Sequence, residues 1–162
     1  MSLINHRRRS ARWHGASQKV RQSAAPLFLD RIDIQCEISP VPFQDISKAA
    51  PGEPSAKIRE RVIKAREVQA ERFNDYKGIP CNAQMTERMI HQFAEPDEQG
   101  IKLLRMAMEK LSLSARAYNR ILKVARTIAD LAGSEQIKPD HIAEAVGYGT
   151  LDRGDWAERG HL

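Results

Sequence analysis

The sequence predicts a mainly α fold, a small helical bundle preceded by one β-strand and a Pro-rich linker. Three observations carry that expectation. Apolar residues recur at spacings of three to four in five segments between residues 55 and 148. Pro40, Pro42, Pro51, Gly52 and Pro54 punctuate the stretch before them. Further upstream, Ile32, Ile34, Cys36 and Ile38 alternate with Asp33, Gln35 and Glu37, the period of two expected of a strand.

Residues 1–25 carry no apolar periodicity and are expected to be disordered. The strand is placed within 27–38. A lone strand leaves its edges unsatisfied, so it should pair with a neighbour outside this chain or hang loose, which reads as truncation. The linker ends near residue 54, because no helix or central strand tolerates that density of proline. Ser55 is the expected N-cap of a helix reaching about Tyr76, with Ile58, Val62, Ala65, Val68 or Gln69, Phe73 and Tyr76 on one face.

Gly78 and Pro80 stop that helix, and Asn82 or Thr86 opens a short one whose Met89, Ile90 and Phe93 face inward. Pro96 is expected in the first turn of the next helix, whose stripe is Ile101, Leu104, Ala107, Met108 and Leu111. The clearest helix runs Ser114 to Ala132, capped by Ser114, lined by Ala117, Ile121, Val124 or Ala125 and Ile128, and closed by Gly133. A last helix, Pro139 to about Tyr148, buries Ile142, Ala145 and Val146, with Ile137 stapled before it. Beyond Asp152 the chain is polar and expected to fray.

A chain of 162 residues accommodates one ordinary domain and a tail. With 41% hydrophobic and 29% charged residues, and no apolar run near the roughly 18 residues of a membrane span, a cytoplasmic protein without membrane contact is expected. No apolar segment follows His6, Arg7, Arg8 and Arg9 to make a signal peptide. Cys36 and Cys81 fit no metal or redox spacing and are expected to be reduced. The net charge of +5 is concentrated: residues 1–31 hold seven Lys or Arg against Asp30, whereas the remainder is balanced. Such an arm can hold phosphate backbones without sequence preference, or simply be solvated.

The sequence contains no G-x-x-x-x-G-K-S/T phosphate loop, no G-x-S-x-G elbow and no H-E-x-x-H pair. His91 and His141 stand singly on predicted helices, where surface or hydrogen-bonded roles are expected and no metal. Arg120, Lys123 and Arg126 read as the polar face of the Ser114 helix.

Three stretches carry a resemblance: Cys81-Asn82-Ala83-Gln84-Met85, the long run from Leu113 to Leu131, and His141-Ile142-Ala143-Glu144-Ala145. They resemble the C-terminal domain of the magnesium-chelatase-like AAA+ ATPases of the ComM/YifB type, and Leu29-Asp30-Arg31-Ile32-Asp33-Ile34 is similar to the end of that family's AAA+ core. The resemblance divides the chain into a basic segment 1–25 foreign to the family, the end of the core and linker over 26–53, a helical lid over 54–150, and a tail over 151–162.

The resemblance implies a ring in which ATP and magnesium lie between neighbouring subunits of the parent. It also implies DNA remodelling as a function of the parent, by analogy alone. Arg31 matches the arginine finger that reaches a neighbour's ATP, and Arg116 matches the sensor-2 position at the start of a lid helix. Without the phosphate loop, the chain alone is expected to be inactive and to hold neither cofactor. Two departures stand out. Ala24-Ala25-Pro26-Leu27-Phe28-Leu29-Asp30-Arg31 is one residue longer than the family's approach to this motif, and Gly149 follows Tyr148 where the family has arginine. Two other readings of the residues stay open, a small basic nucleic-acid-binding helical protein and a structural oligomerisation module.

Overall fold

The computed structural model describes residues 32–36, 41 and 52–149. The chain divides into two units, Met1–Ile32 and Asp33–Leu162, and the helices described below lie in the second. Among the described residues five α-helices occur, with no strand. They are α1 Ser55–Arg72, α2 Glu87–Phe93, α3 Glu98–Lys110, α4 Ala115–Leu131 and α5 Pro139–Gly149, with one 3-10 turn at Asn82–Gln84. The mainly α bundle is therefore as expected, and among the described residues the expected strand is represented only by 32–36. Segment 32–36 forms no ladder; its Gln35 N–H donates to the Tyr148 carbonyl at 2.9 Å, the end of α5. A strand without a partner has no second row of backbone groups to bond. The rest of the expected strand lies outside the described residues.

Helix α1 begins one residue earlier than the Ser55 cap implied. Extended Pro54 is the cap, and its carbonyl accepts from the N–H groups of Lys57 and Ile58. The helix stops at Arg72, after which Phe73 to Tyr76 turn and Gly78 takes a φ of +81°. Only its second half meets the bundle: Ala65 and Gln69 are buried, while Ile58, Val62, Ile63 and Val68 are exposed. Phe73, Tyr76 and Phe93 then meet edge-on, with centroids 5.7 to 6.5 Å apart, the arrangement that aromatic quadrupoles favour.

Thr86 caps α2, its hydroxyl accepting from the Met89 N–H, and Met89 and Ile90 face the core. Asp97, not Pro96, opens α3, with its carboxylate accepting from the Gly100 N–H at 2.7 Å. Pro96 instead lies outside the helix in a parallel bridge with Ile137, whose carbonyl accepts from the Asp97 N–H. This rotates the α3 stripe: Gly100, Leu103, Leu104 and Ala107 are buried and Ile101 is exposed. Gly100 allows a close approach, since a Cβ there would lie 2.9 Å from the Pro96 Cβ and 3.5 Å from Ile142.

Helix α4 is the central element, touching α1, the 3-10 turn, α2 and α5. Ile121, Ala125, Ile137, Ile142 and Val146 are almost wholly removed from water, forming the seam on which α5 lies across α4 and α3. No helix among the described residues is long and apolar enough to cross a membrane.

Candidate functional site

The turn between α3 and α4 sets where α4 begins. Leu113 N–H donates to the Met108 carbonyl and Ser112 N–H to that of Glu109, the paired bonds that close a helix through a left-handed residue. Ser112 takes that position, at φ 48°. Two residues later the Ser114 hydroxyl accepts from the Ala117 N–H at 3.2 Å, as its cap role requires. Arg116 therefore occupies the first turn of α4, at the positive end of the helix, with its side chain exposed. A planar guanidinium there is suited to a phosphate. Arg31, the other arginine singled out, lies outside the described residues.

Along the same helix the sequence reading of the basic face needs correction. Arg120 is 9% and Arg126 4% exposed, so neither belongs to a solvated face; Lys123 does reach outward, donating to the Ala83 carbonyl at 3.0 Å. The buried arc of α4 is wider than a single stripe, because Leu122, Ala125 and Ala129 extend it. That width carries Arg126 and Asp130 inside.

Asp130, 5% exposed, is the centre of a polar network. Arg72 donates to both its oxygens, at 2.8 and 2.6 Å. Asn82 Nδ2 donates to it at 2.7 Å and Arg126 Nε at 3.1 Å. Asn82 is itself fully engaged: its Oδ1 accepts from Arg72 at 2.9 Å, its Nδ2 also donates to Thr127 Oγ1 at 3.1 Å, and its backbone N–H donates to Gln69 Oε1 at 3.4 Å. Arg126 spends its two remaining nitrogens on the Glu135 and Ser134 carbonyls, at 2.7 and 2.6 Å, just past the end of α4.

Burial raises the Asp130 carboxyl, but hydrogen bonds from Arg72 and Asn82 and the charges of Arg126 and Arg72 outweigh it, leaving it below the ordinary carboxylate range. For Arg126, burial lowers the guanidinium and the Asp130 charge only partly offsets it, with Arg72 adding repulsion. Two cations thus share one anion. The carbonyls beyond α4, at the negative end of its dipole, take up the excess.

At the other end of the bundle Arg120 Nη2 donates to the Gly149 carbonyl at 3.1 Å. A Cβ on residue 149 would lie 3.2 Å from that nitrogen. Glycine at this position leaves room for the Arg120 guanidinium.

Sequence reasoning missed Arg72, Asn82 and Asp130. The available signals were the i,i+4 spacing of Arg126 and Asp130 and the position of Asn82 inside the Cys81–Met85 stretch. Cys36 and Cys81 are free thiols. His91 is exposed, and His141 accepts the Lys138 N–H through Nδ1 at 3.1 Å, as expected of hydrogen-bonded surface residues. Among the described residues no three His, Cys, Asp or Glu side chains gather as a metal site.

Residues 52–149, the span of the bundle, match the family described as magnesium chelatase, subunit ChlI C-terminal. The competence protein ComM of Haemophilus influenzae is 42% identical over 127 residues, covering 78% of this chain and 24% of the relative. YifB of Escherichia coli matches equally, at 42% over 127 residues with the same coverage. A relative from Mycobacterium tuberculosis is 32% identical over 121 residues, 75% of this chain and 24% of its own length. The chain thus spans about a quarter of the length of the curated relatives it matches. Matched across its whole helical bundle, the chain belongs to the magnesium chelatase ChlI C-terminal family and carries the C-terminal domain of a ComM/YifB-type protein.

Proposed function

We propose that this bundle is the lid of a magnesium-chelatase-like AAA+ ATPase, coupling ATP binding and hydrolysis to movement within a ring of neighbouring subunits. The observation that carries the reading is the exposed Arg116 in the first turn of the capped helix α4, where the resemblance puts the sensor-2 arginine. ATP and magnesium would be held by other parts of the parent. Arg116 would contribute a fixed planar cation toward the phosphates, and Arg31 of one subunit would approach the nucleotide of the next. Work on DNA by the parent is the further extension of this reading. The printed name of the Haemophilus influenzae relative, a competence protein, supports it by analogy only.

The test is a chimera in which residues 52–149 replace the matched segment of the Haemophilus influenzae protein. Arg116→Ala should lower its magnesium-dependent ATP turnover by roughly tenfold or more, a loss within the range of phosphate-stabilising groups. Unchanged kcat and KM in that variant would sink the assignment. The chain alone should show no turnover above a protein-free control.

A further inference from the structure

Helix α1 is held to the bundle by few groups. Of its eighteen residues only Ala65 and Gln69 are buried, and the first two and a half turns are exposed on every side. Ala65 makes only non-directional apolar contact and Gln69 adds one long bond, accepting from the Asn82 N–H at 3.4 Å, a weak hold against rolling or sliding over α4. Arg72, the last residue of α1, supplies direction. Its guanidinium plane meets Asp130 with two parallel bonds and the Asn82 amide with a third. A forked arrangement of this kind fixes angle as well as distance.

A buried ion pair is a weak source of net stability compared with apolar packing of the same volume, so orientation is the more telling property of this one. Asp130 is itself held by Arg126, which is tied to the carbonyls of Ser134 and Glu135. The receiving half of the joint is thus fixed to the end of α4 whether or not Arg72 is present. Arg116 lies fourteen residues earlier on the same helix, about 21 Å away at 1.5 Å per residue.

We propose that Arg72 and Asp130 form the joint that makes α1 and α4 one rigid lever, so that displacement at the Arg116 end of α4 is delivered to α1 and to the chain preceding Pro54. Arg72 is on this account a positioning residue that touches no nucleotide. The functional part of the proposal rests on the phosphate-contact reading of Arg116; the mechanical part does not.

Hydrogen exchange of the full chain separates the two. Arg72→Met removes the fork while leaving Asp130 bonded to Arg126 and Asn82. Amides of Ser55–Arg72 and Cys81–Met85 should then exchange about tenfold faster, with those of Ile121–Ala129 and Ile142–Val146 within about twofold of wild type. Arg72→Lys, which keeps the charge but not the fork, should give an intermediate rate and serves if the methionine variant does not fold. Unchanged exchange in α1, or an equal rise in all helices, overturns the joint.

In the chimera, Arg72→Met should lower kcat and leave KM unchanged; loss of both, or of neither, overturns the transmission role. If Arg116→Ala has no effect while α1 loosens as expected, the phosphate reading fails and the mechanical joint stands. If Arg116→Ala is deleterious and α1 does not loosen, the reverse holds.

Discussion

Asp130 accepts four hydrogen bonds from three side chains while almost wholly removed from water. Taking away its charge leaves Arg72 and Arg126 facing each other, so Asp130→Asn should destabilise the chain by about 3–5 kcal/mol in urea unfolding. The pH dependence has a defined sign. The unfolded aspartate takes up a proton near its ordinary value of about 3.9, whereas the folded one does so only at lower pH. Between those values the unfolded state binds more protons, and stability falls as pH drops. The stabilisation is complete above the ordinary value and lost as pH falls through the folded one. Urea midpoints measured from about pH 5 to about pH 2 should show a smaller decline in Asp130→Asn than in wild type, and parallel declines would contradict the assignment. Gly100 is the second decisive position. Gly100→Ala sets a methyl 2.9 Å from the Pro96 Cβ, so the Pro96 segment that leads into α3 must shift, at a cost of about 1–3 kcal/mol readable as a lower thermal midpoint.

At the scale of elements, α4 is defined at both ends by backbone conformation that its sequence announces. Ser114 opens it, and Gly133, at φ +66°, closes it with bonds from Gly133 N–H to the Asp130 carbonyl and from Ser134 N–H to that of Ala129. Nothing lies within 4 Å of a Cβ at Gly133, so Gly133→Ala isolates the conformational cost, about 1–2 kcal/mol in chemical unfolding. Because this turn also presents the Ser134 and Glu135 carbonyls to Arg126, a larger loss would show that the turn and the network are coupled. Helix α1 is the opposite case. Its face of Ile58, Val62, Ala65 and Gln69 is legible in the sequence, but only the latter two are covered, since the helix runs past the edge of the bundle.

For the whole molecule, α4 is the axis against which α1, α2 and α5 pack, and the polar network closes α1 onto it where apolar contact is sparse. Under the proposed reading, one end of this axis faces nucleotide and the other carries the joint to the rest of the chain. The helices and the caps of α2 and α4 were legible because each depends on local rules: Thr86, Ser114 and Gly133 act within one turn of themselves. Arg116 was legible as a candidate because its position follows from the Ser114 cap and from the surrounding family-like residues.

What the sequence could not reveal is where a charged side chain goes when two helices meet. Arg126 and Asp130 look like a solvated i,i+4 pair until α1 and the Asn82 turn arrive from 58 and 48 positions away to enclose them. Pro96 likewise reads as a first-turn residue until Ile137, from beyond α4, pairs with it and moves the start of α3 to Asp97. The sequence by itself determined the helical class, the order of the helices, the cap of α4 and the family resemblance, all of which rest on neighbours along the chain. Only the tertiary structure decided which faces are covered and which charges are buried, because those depend on the order-of-magnitude larger separations over which packing acts.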